Sequence, residues 1–94
     1  MSPIRPDLEN KVILITGASR GIGRAVALNC AQAGAEVIIT GRTMGALEEL
    51  DDAISKTGRR ATIVELDQTD TAAMARLGQA VAARWGRLDG FVAN

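Results

Sequence analysis

The feature that most constrains the fold is an apolar run that leads directly into a cluster of glycines. Residues 12–16 read Val-Ile-Leu-Ile-Thr, and glycines follow at positions 17, 21 and 23. A strand that is covered on both faces is apolar at nearly every position, so this run predicts a buried β-strand. A glycine-rich turn between such a strand and a helix presents backbone N–H groups to a phosphate. The segment therefore predicts a strand, an anion-binding turn and a helix.

Three further apolar runs alternate with helical patterns along the chain. Alternation of this kind is typical of βαβ units and a parallel sheet. The sequence thus predicts an α/β fold with a Rossmann-type doubly wound parallel sheet, in which residues 1–94 form one domain with the element order βαβαβαβ. The four predicted strands are Val12–Thr16, Glu36–Thr40, Ala61–Leu66 and Leu88–Ala93.

Each predicted helix carries an apolar stripe and a signal at one or both ends. The stripe residues recur every three or four positions, as expected for a helix with one buried face. Gly34, Gly58 and Gly86 follow the stripes and can end the helices in the left-handed conformation. Thr43 and Asp70 are placed to cap the second and third helices. The stripes are Ile22, Ala25, Val26, Cys30 and Ala33, then Leu47, Leu50 and Ile54, then Met74, Leu77, Val81 and Trp85.

The order of the strands follows from the handedness of their connections. Crossovers between parallel strands are right-handed, and each predicted helix is long enough to return the chain across the sheet. The expected order is 3-2-1-4, which reverses direction between the first and fourth strands. Ligands of open α/β sheets bind at such a switch point, outside the carboxyl ends of the strands. The glycine turn and the end of the fourth strand both reach that crevice.

The composition narrows the choice of partner and compartment. Eleven basic and eleven acidic side chains give a net charge of zero, so charge alone does not indicate a nucleic-acid or membrane-surface partner. No apolar run approaches the roughly 18 residues of a membrane span, and the N-terminus lacks a signal-peptide pattern. The single cysteine fits a reducing compartment. We therefore expect a soluble cytoplasmic domain. No metal site is expected, because the acidic residues of the second predicted helix do not converge, and the chain also contains no histidine.

The glycine spacing differs from the common dinucleotide-binding pattern G-x-G-x-x-G, because Val26 occupies its third position. The physical roles can still be assigned. Gly17 suits the tight exit from the strand, Gly21 allows backbone to approach a phosphate, and Gly23 allows the helix to pack close to the sheet. Taken without its context, the same spacing is equally compatible with an ordinary strand-to-helix loop.

Three segments in register resemble one known family. Residues 16–23, Thr-Gly-Ala-Ser-Arg-Gly-Ile-Gly, are similar to the T-G-x-x-x-G-I-G motif of the short-chain dehydrogenase/reductase family. Residues 66–70, Leu-Asp-Gln-Thr-Asp, resemble its acidic turn after the third strand. Residues 85–94, from Trp85 to Asn94, resemble the run into its N-N-A-G motif. The resemblance covers residues 8–94. It implies an NAD(P)-binding domain of an enzyme that oxidises hydroxyl groups or reduces carbonyl groups.

The resemblance also implies roles for individual residues. Asp67 is expected to accept a hydrogen bond from the adenine amino group, with Gln68 beside it, and Asn94 is expected to contact the adenosine ribose through its backbone. Two positions depart from the family pattern. Gln68 stands where a small apolar residue is common, and Ala93 replaces the first asparagine of N-N-A-G. The residues expected to line the phosphates are Gly17, Ser19, Arg20, Gly21, Ile22 and Gly23.

The choice between NAD and NADP depends on the end of the second strand. An NAD site needs an acidic residue there to hold the ribose 2′-hydroxyl. Residues 40–43 read Thr-Gly-Arg-Thr, and the next carboxylate is Glu48. Arg42 and Arg20 can bind a 2′-phosphate by charge-assisted hydrogen bonds, and basic residues at these places imply NADP preference in the family. The alternative is that both are solvated loop arginines.

The residues that the resemblance implies for catalysis are not found in this sequence. The resemblance implies catalysis by a tyrosine, a lysine four residues later and a serine, but the chain contains no tyrosine. We therefore expect an NADP-dependent short-chain oxidoreductase represented by a cofactor-binding fragment that cannot turn over substrate alone. The intact enzyme would act on a small molecule and form a homo-oligomer. A non-catalytic nucleotide-binding module and a structural remnant are the alternatives.

Overall fold

The computed structural model describes residues 8–18, 21–67 and 69–93 as a single layered α/β unit. The four strands are short and each is followed, apart from the last, by a helix of 12 to 15 residues. The elements in chain order are β1 (Val12–Thr16), α1 (Gly21–Gln32), β2 (Glu36–Gly41), α2 (Met44–Ser55), β3 (Ala61–Glu65), α3 (Thr71–Trp85) and β4 (Gly90–Ala93).

The sheet has the predicted architecture. All of its pairings are parallel, and the strand order is β3-β2-β1-β4. Ile15 of β1 lies level with Ile39 of β2 and with Val92 of β4. This alignment brings the carboxyl ends of the strands to one edge, so the expected switch point between β1 and β4 is confirmed.

The helices cover the two faces of the sheet unequally. Two of them, α1 and α2, pack on one face, where Ile15 and Ile39 are completely buried against side chains that include Leu47, Leu50 and Ile54. Only α3 packs on the other face, where Leu77 and Val81 meet Val12, Leu14 and Ile38. This two-against-one arrangement follows from right-handed crossovers that change direction after β3.

The predicted stripe of α1 was wrong in part. Ile22 is 74 % exposed and Ala25 is exposed as well. The residues that face the sheet are small, namely Gly23, Ala27 and Ala31. Small side chains let the helix axis approach the strands closely, and this leaves the bulkier residues of α1 at its flanks or in solvent. Val26, Cys30 and Ala33 are half-buried, and Val26 and Cys30 pack against the same core.

The other stripes are largely confirmed. Leu47, Leu50 and Ile54 of α2 are fully buried, and Leu77 and Val81 of α3 are 8 % and 2 % exposed. Met74 and Trp85, at the two ends of the α3 stripe, are half-buried. The stripe of α3 is therefore well covered only at its centre.

The glycines predicted to end the helices are confirmed, but only one of the two predicted side-chain caps is. Gly34, Gly58 and Gly86 all have positive φ, as predicted, and the Asp70 carboxylate accepts a hydrogen bond from the backbone N–H of Ala73 at 3.0 Å. Thr43 occupies the N-cap position of α2 but its side chain makes no capping hydrogen bond. Its backbone oxygen accepts from the N–H of Leu47 instead. The predicted Thr43 side-chain cap was wrong.

The strand ends also differ from the prediction by one or two residues. Strand β2 continues through Gly41, whereas β3 ends at Glu65 and does not include Leu66. Strand β4 begins at Gly90 and not at Leu88, because its first pairing with β1 joins Gly90 to Ile13. The preceding residue, Asp89, bonds to the start of β1 through both its backbone and its carboxylate. At this end of the β1–β4 pairing, the Asp89 carboxylate thus takes the place of a backbone oxygen as the acceptor for Val12.

Candidate functional site

The glycine turn lies between the end of β1 and the start of α1. Gly17 and Gly21 have φ values of 60° and 68°, a conformation that side-chain-bearing residues rarely adopt. A Cβ atom built on Gly21 would meet no atom within 4 Å. The position of a Cβ at Gly21 is therefore open among the described residues, and it is the positive φ that favours glycine there.

The start of α1 adds electrostatic and apolar character to this turn. The first turn of the helix contains no acidic side chain, so nothing there offsets the positive end of the helix dipole. Ile22 stands beside the turn with its large apolar side chain exposed. Gly23 is buried within α1, which agrees with its predicted role in close helix-to-sheet packing.

Backbone hydrogen bonds tie the ends of neighbouring strands together at this edge. The N–H of Ala18 donates to the carbonyl oxygen of Thr40 at 2.9 Å, and the N–H of Leu66 donates to that of Gly41 at 2.8 Å. Through these bonds the glycine turn is held against the end of β2, and the end of β2 is held against the segment after β3. Three loops that lie far apart in the sequence are therefore adjacent in the structure.

The end of β2 packs tightly and contains an unusual buried hydroxyl. A Cβ on Gly41 would lie 3.2 Å from Cδ2 of Leu47, so glycine allows close contact with α2. Thr40 is 1 % exposed, and its hydroxyl has no hydrogen-bond partner among the described residues. On β1, by contrast, the Thr16 hydroxyl donates to the backbone oxygen of Val92 at 3.4 Å. Most buried hydroxyls are bonded, so Thr40 is an exception within the described part of the chain.

Arg42 and Asp67 follow β2 and β3, and both side chains are exposed at the same edge. The pKa of Asp67 lies below its ordinary value. The first cause is the hydrogen bond from the backbone N–H of Thr69, followed by that from the Thr69 side chain, and the positive charge of Arg42 adds a smaller effect. The site therefore combines an ionised carboxylate, a guanidinium and the backbone amides of the glycine turn.

This donor and acceptor set suits a ligand that carries both anionic groups and a hydrogen-bond donor. The backbone amides and Arg42 can bind anions, and the Asp67 carboxylate can accept from an amino or hydroxyl group. A dinucleotide has phosphates and an amino-substituted base, so the residues present fit such a group. Among the described residues, no three histidine, cysteine or acidic side chains are grouped in a way that could hold a metal ion.

The sequence-predicted residues divide into two sets. Gly17, Gly21, Ile22, Gly23, Arg42 and Asp67 are all found around the carboxyl ends of the strands. Ser19, Arg20, Gln68 and Asn94 lie outside the described residues, so their roles stay predictions.

Two residues of the site were missed by the sequence analysis, Thr40 and Thr69. Thr69 follows Asp67 by two positions, a spacing at which the aspartate side chain commonly bonds to the backbone, and this pattern could have identified it. The unpartnered hydroxyl of Thr40 leaves no signal in the sequence.

The described helices include none of the length and apolarity required to cross a bilayer.

Comparison with known proteins gives one consistent match. The model of the short chain dehydrogenase family matches residues 11–94. An uncharacterized oxidoreductase of Mycobacterium tuberculosis is 47 % identical over 88 residues, which are 93 % of this chain and 33 % of that protein. The chain therefore spans about a third of the length of this relative, and its share of the other curated relatives is similar.

Two solved structures share the fold closely. A short chain dehydrogenase from Pseudomonas syringae superimposes with a TM-score of 0.88 and 38 % identity, over 98 % of this chain and 40 % of that one. A metagenomic short-chain oxidoreductase, solved in complex with NADP, gives a TM-score of 0.87 and 34 % identity, over 90 % of this chain and 38 % of that one.

Proposed function

The chain belongs to the short-chain dehydrogenase family, and on this basis we propose that it forms the dinucleotide-binding part of an NADP(H)-dependent oxidoreductase. The observation that carries the proposal is the convergence of three segments at the switch point of the sheet. The glycine turn follows β1, Arg42 follows β2 and Asp67 follows β3, and backbone hydrogen bonds join all three loops. Open α/β sheets bind their ligands at this position.

The pyrophosphate of the dinucleotide would lie against the glycine turn. Gly21 is the first residue of α1, no described atom lies within 4 Å of where its Cβ would be, and the positive end of the helix dipole lies at this turn. The exposed side chain of Ile22 would cover apolar parts of the ligand. The bound cofactor supplies the hydride or accepts it, while the residues of this chain hold it in place. The proposed phosphate-lining residues are Gly17, Ser19, Arg20, Gly21, Ile22 and Gly23.

The preference for NADP over NAD rests on Arg42. Its side chain is exposed at the end of β2, where a guanidinium can form two parallel hydrogen bonds with a phosphate. No acidic residue stands between β2 and Glu48 to hold a free ribose hydroxyl instead. We place Arg20 on the same phosphate from the side of the glycine turn.

The adenosine part of the ligand would be held by the segment after β3. Asp67 would accept a hydrogen bond from the base, with Gln68 beside it, and Asn94 would contact the ribose through its backbone. The exposure of Asp67 at this edge supports this role, because an ionised carboxylate accepts hydrogen bonds and donates none.

The chemical step would use groups outside these residues. The 94 residues contain no tyrosine, whereas the family resemblance implies a tyrosine as general acid and base. We propose that carbonyl or hydroxyl substrates react at the nicotinamide end of the cofactor, with acid–base groups from elsewhere in the enzyme. The residues described above bind and orient the cofactor and do not transfer a proton to substrate.

Titration with both cofactors tests the proposal. We expect the wild type to bind NADPH more tightly than NADH by roughly ten- to a hundredfold, because a charge-assisted hydrogen bond contributes that much to affinity. In Arg42→Asp the preference should vanish or reverse. Arg60→Asp is the matched control, since this exposed arginine stands before β3, at the opposite edge of the sheet. Equal affinities of the wild type for the two cofactors would contradict the NADP assignment.

A further inference from the structure

The Asp67 carboxylate is held by a single neighbouring residue. The backbone N–H of Thr69 donates to Oδ1 of Asp67 at 2.9 Å, and the Thr69 hydroxyl donates to the same oxygen at 2.7 Å. The other oxygen, Oδ2, accepts no hydrogen bond from any described residue. The two oxygens of one carboxylate thus differ: Oδ1 is bonded twice within the loop, and Oδ2 receives no donor from the residues that the structure describes.

We propose that Thr69 is a positioning residue of the nucleotide site, which orients the Asp67 carboxylate so that Oδ2 is presented to the amino group of the bound base. The inference rests on the proposed function, because it assigns the base to Asp67. A carboxylate on a short side chain rotates with little resistance about its last bond. Two donors on Oδ1 remove that freedom before the ligand arrives, and ligand binding then costs less ordering of the site.

The loop that carries Thr69 is anchored independently of any ligand. The backbone N–H of Asp70 donates to the carbonyl oxygen of Asp67 at 2.9 Å, and the Asp70 carboxylate caps α3 through the N–H of Ala73 at 3.0 Å. Asp67 and Asp70 therefore divide the work of this loop. Asp70 joins the loop to the helix. Oδ1 of Asp67 is bonded to Thr69, and Oδ2 accepts from none of the described residues.

The electrostatic environment agrees with this geometry. The hydrogen bonds from Thr69 are the largest causes of the lowered pKa of Asp67, ahead of the charge of Arg42. In the described part of the chain, Arg42 is the charged group that acts on this carboxylate across the edge of the sheet. Removal of the Thr69 hydroxyl should therefore raise the pKa of Asp67 toward its ordinary value, while Arg42 and the backbone N–H of residue 69 remain in place.

The test compares Thr69→Val, which keeps the shape of the side chain and loses the hydroxyl, with Thr69→Ser, which keeps the hydroxyl. Thr71→Val is the control, since Thr71 is exposed at the start of α3. NADPH binding is titrated with each variant between pH 7 and pH 4. We expect Thr69→Val to bind on the order of three- to tenfold more weakly, with the acid loss of binding shifted to higher pH. Thr69→Ser and Thr71→Val should match the wild type.

A second ligand separates positioning of the carboxylate from a general effect on the loop. In the hypoxanthine analogue of NADPH the amino group of the base is replaced by an oxygen. If Oδ2 receives that amino group, Thr69→Val should scarcely alter binding of the analogue. An equal loss of affinity for both ligands, or NADPH binding by Thr69→Val that equals the wild type at every pH, would overturn the proposal.

A direct measurement keeps this result separate from the proposed function. The carboxyl carbon of Asp67 can be titrated by carbon-13 NMR without ligand. We expect its midpoint to lie at higher pH in Thr69→Val than in the wild type and Thr69→Ser. Failure of the wild type to bind NADPH would refute the proposed function, while an unchanged midpoint in Thr69→Val would refute the orienting contact itself.

Discussion

The two faces of the sheet differ in how completely they are covered. On the face of α1 and α2, Ile15, Ile39 and Leu50 have no measurable exposure. On the face of α3, Leu77 retains 8 %, and Phe91 at the end of this face is 51 % exposed. The sheet thus has one face on which most core side chains are completely buried and another that is covered less completely. We infer that most of the stability of this unit comes from the first face.

The difference arises from the number of helices and from the place of β4. Two adjacent helices span β1, β2 and β3 on the first face, and their side chains also pack against each other. A single helix must cover the second face, and it packs on the apolar residues of β1 and β2. Phe91 lies level with Leu14 of β1, so it belongs to this second face but extends beyond the buried cluster.

Matched leucine substitutions test the comparison and should give the largest effects. Leu50→Ala removes a fully buried side chain between α2 and the sheet, and we expect it to lower the free energy of unfolding by about 3–5 kcal/mol. Leu77→Ala makes the same chemical change under α3, where Leu77 itself is 8 % exposed and its cluster includes the half-buried Val64, Leu66 and Trp85, so that water can fill part of the gap. We expect a smaller loss, about 2–3 kcal/mol. Urea denaturation of both variants measures the difference.

The comparison would fail if Leu77→Ala destabilised the chain as much as Leu50→Ala. A change in the denaturant slope m must be excluded first, because it would indicate an altered unfolded or native state and not a difference in packing. With equal slopes, a shift in midpoint reports stability directly.

The sequence predicted the strands and their order better than it predicted which residues of α1 face the sheet. Unbroken apolar runs identify strands that are buried on both sides, and right-handed crossovers are compatible with the predicted strand order, so β1, β2 and the topology were predicted. The α1 stripe was not, because apolar periodicity favoured Ile22 whereas close packing selects small residues such as Ala27. Periodicity measures hydrophobicity, and it does not show how near a helix lies to the sheet.

The site was predictable to a similar degree. Glycines that need positive φ and a cation after β2 are visible in the sequence, since backbone conformation and charge are properties of single residues. The contact of Asp67 with Thr69 is local, and the spacing of the two residues could have predicted it, whereas the environment of the buried Thr40 hydroxyl depends on the tertiary arrangement. The cap position of Thr43 was correct although its side chain makes no capping bond.

A substitution at Asp89 should lower the free energy of unfolding by an intermediate amount, and it tests the contact between β1 and the residue before β4. The Asp89 carboxylate accepts from the backbone N–H of Val12 at 2.8 Å, and its own N–H donates to the oxygen of Val12 at 2.8 Å. Arg87 also bonds to the carboxylate through Nε and Nη2. We expect Asp89→Asn to be less stable than the wild type, by less than Leu77→Ala. The control is Asp52→Asn, at an exposed position of α2.

The pH dependence of stability follows from the same contacts. Hydrogen bonds from Arg87, then from Val12, lower the pKa of Asp89. A carboxylate with a lowered pKa in the folded state stabilises the fold above its unfolded pKa of about 4. This contribution is lost as the pH falls from there through the lower folded pKa. Wild type should therefore lose more stability than Asp89→Asn between pH 6 and pH 3. Parallel losses would show that Asp89 is not responsible.

The smallest effect on unfolding is expected at Phe91, although its effect on association should be clear. Strand β4 pairs with β1 along one edge, and along its other edge the described residues place no strand. An edge strand with exposed apolar side chains is a template for pairing with another chain, and both Leu88 and Phe91 are exposed.

We expect the 94-residue chain to self-associate through this edge, and light scattering should show larger particles as its concentration increases. In Phe91→Thr, which introduces a polar β-branched side chain that still suits a strand, association should weaken while unfolding changes little. Hydrogen exchange should be faster at β4 than at β1, because β1 is paired on both sides. A monomer at high concentration whose β4 amides are as protected as those of β1 would refute the weakness assigned to this edge.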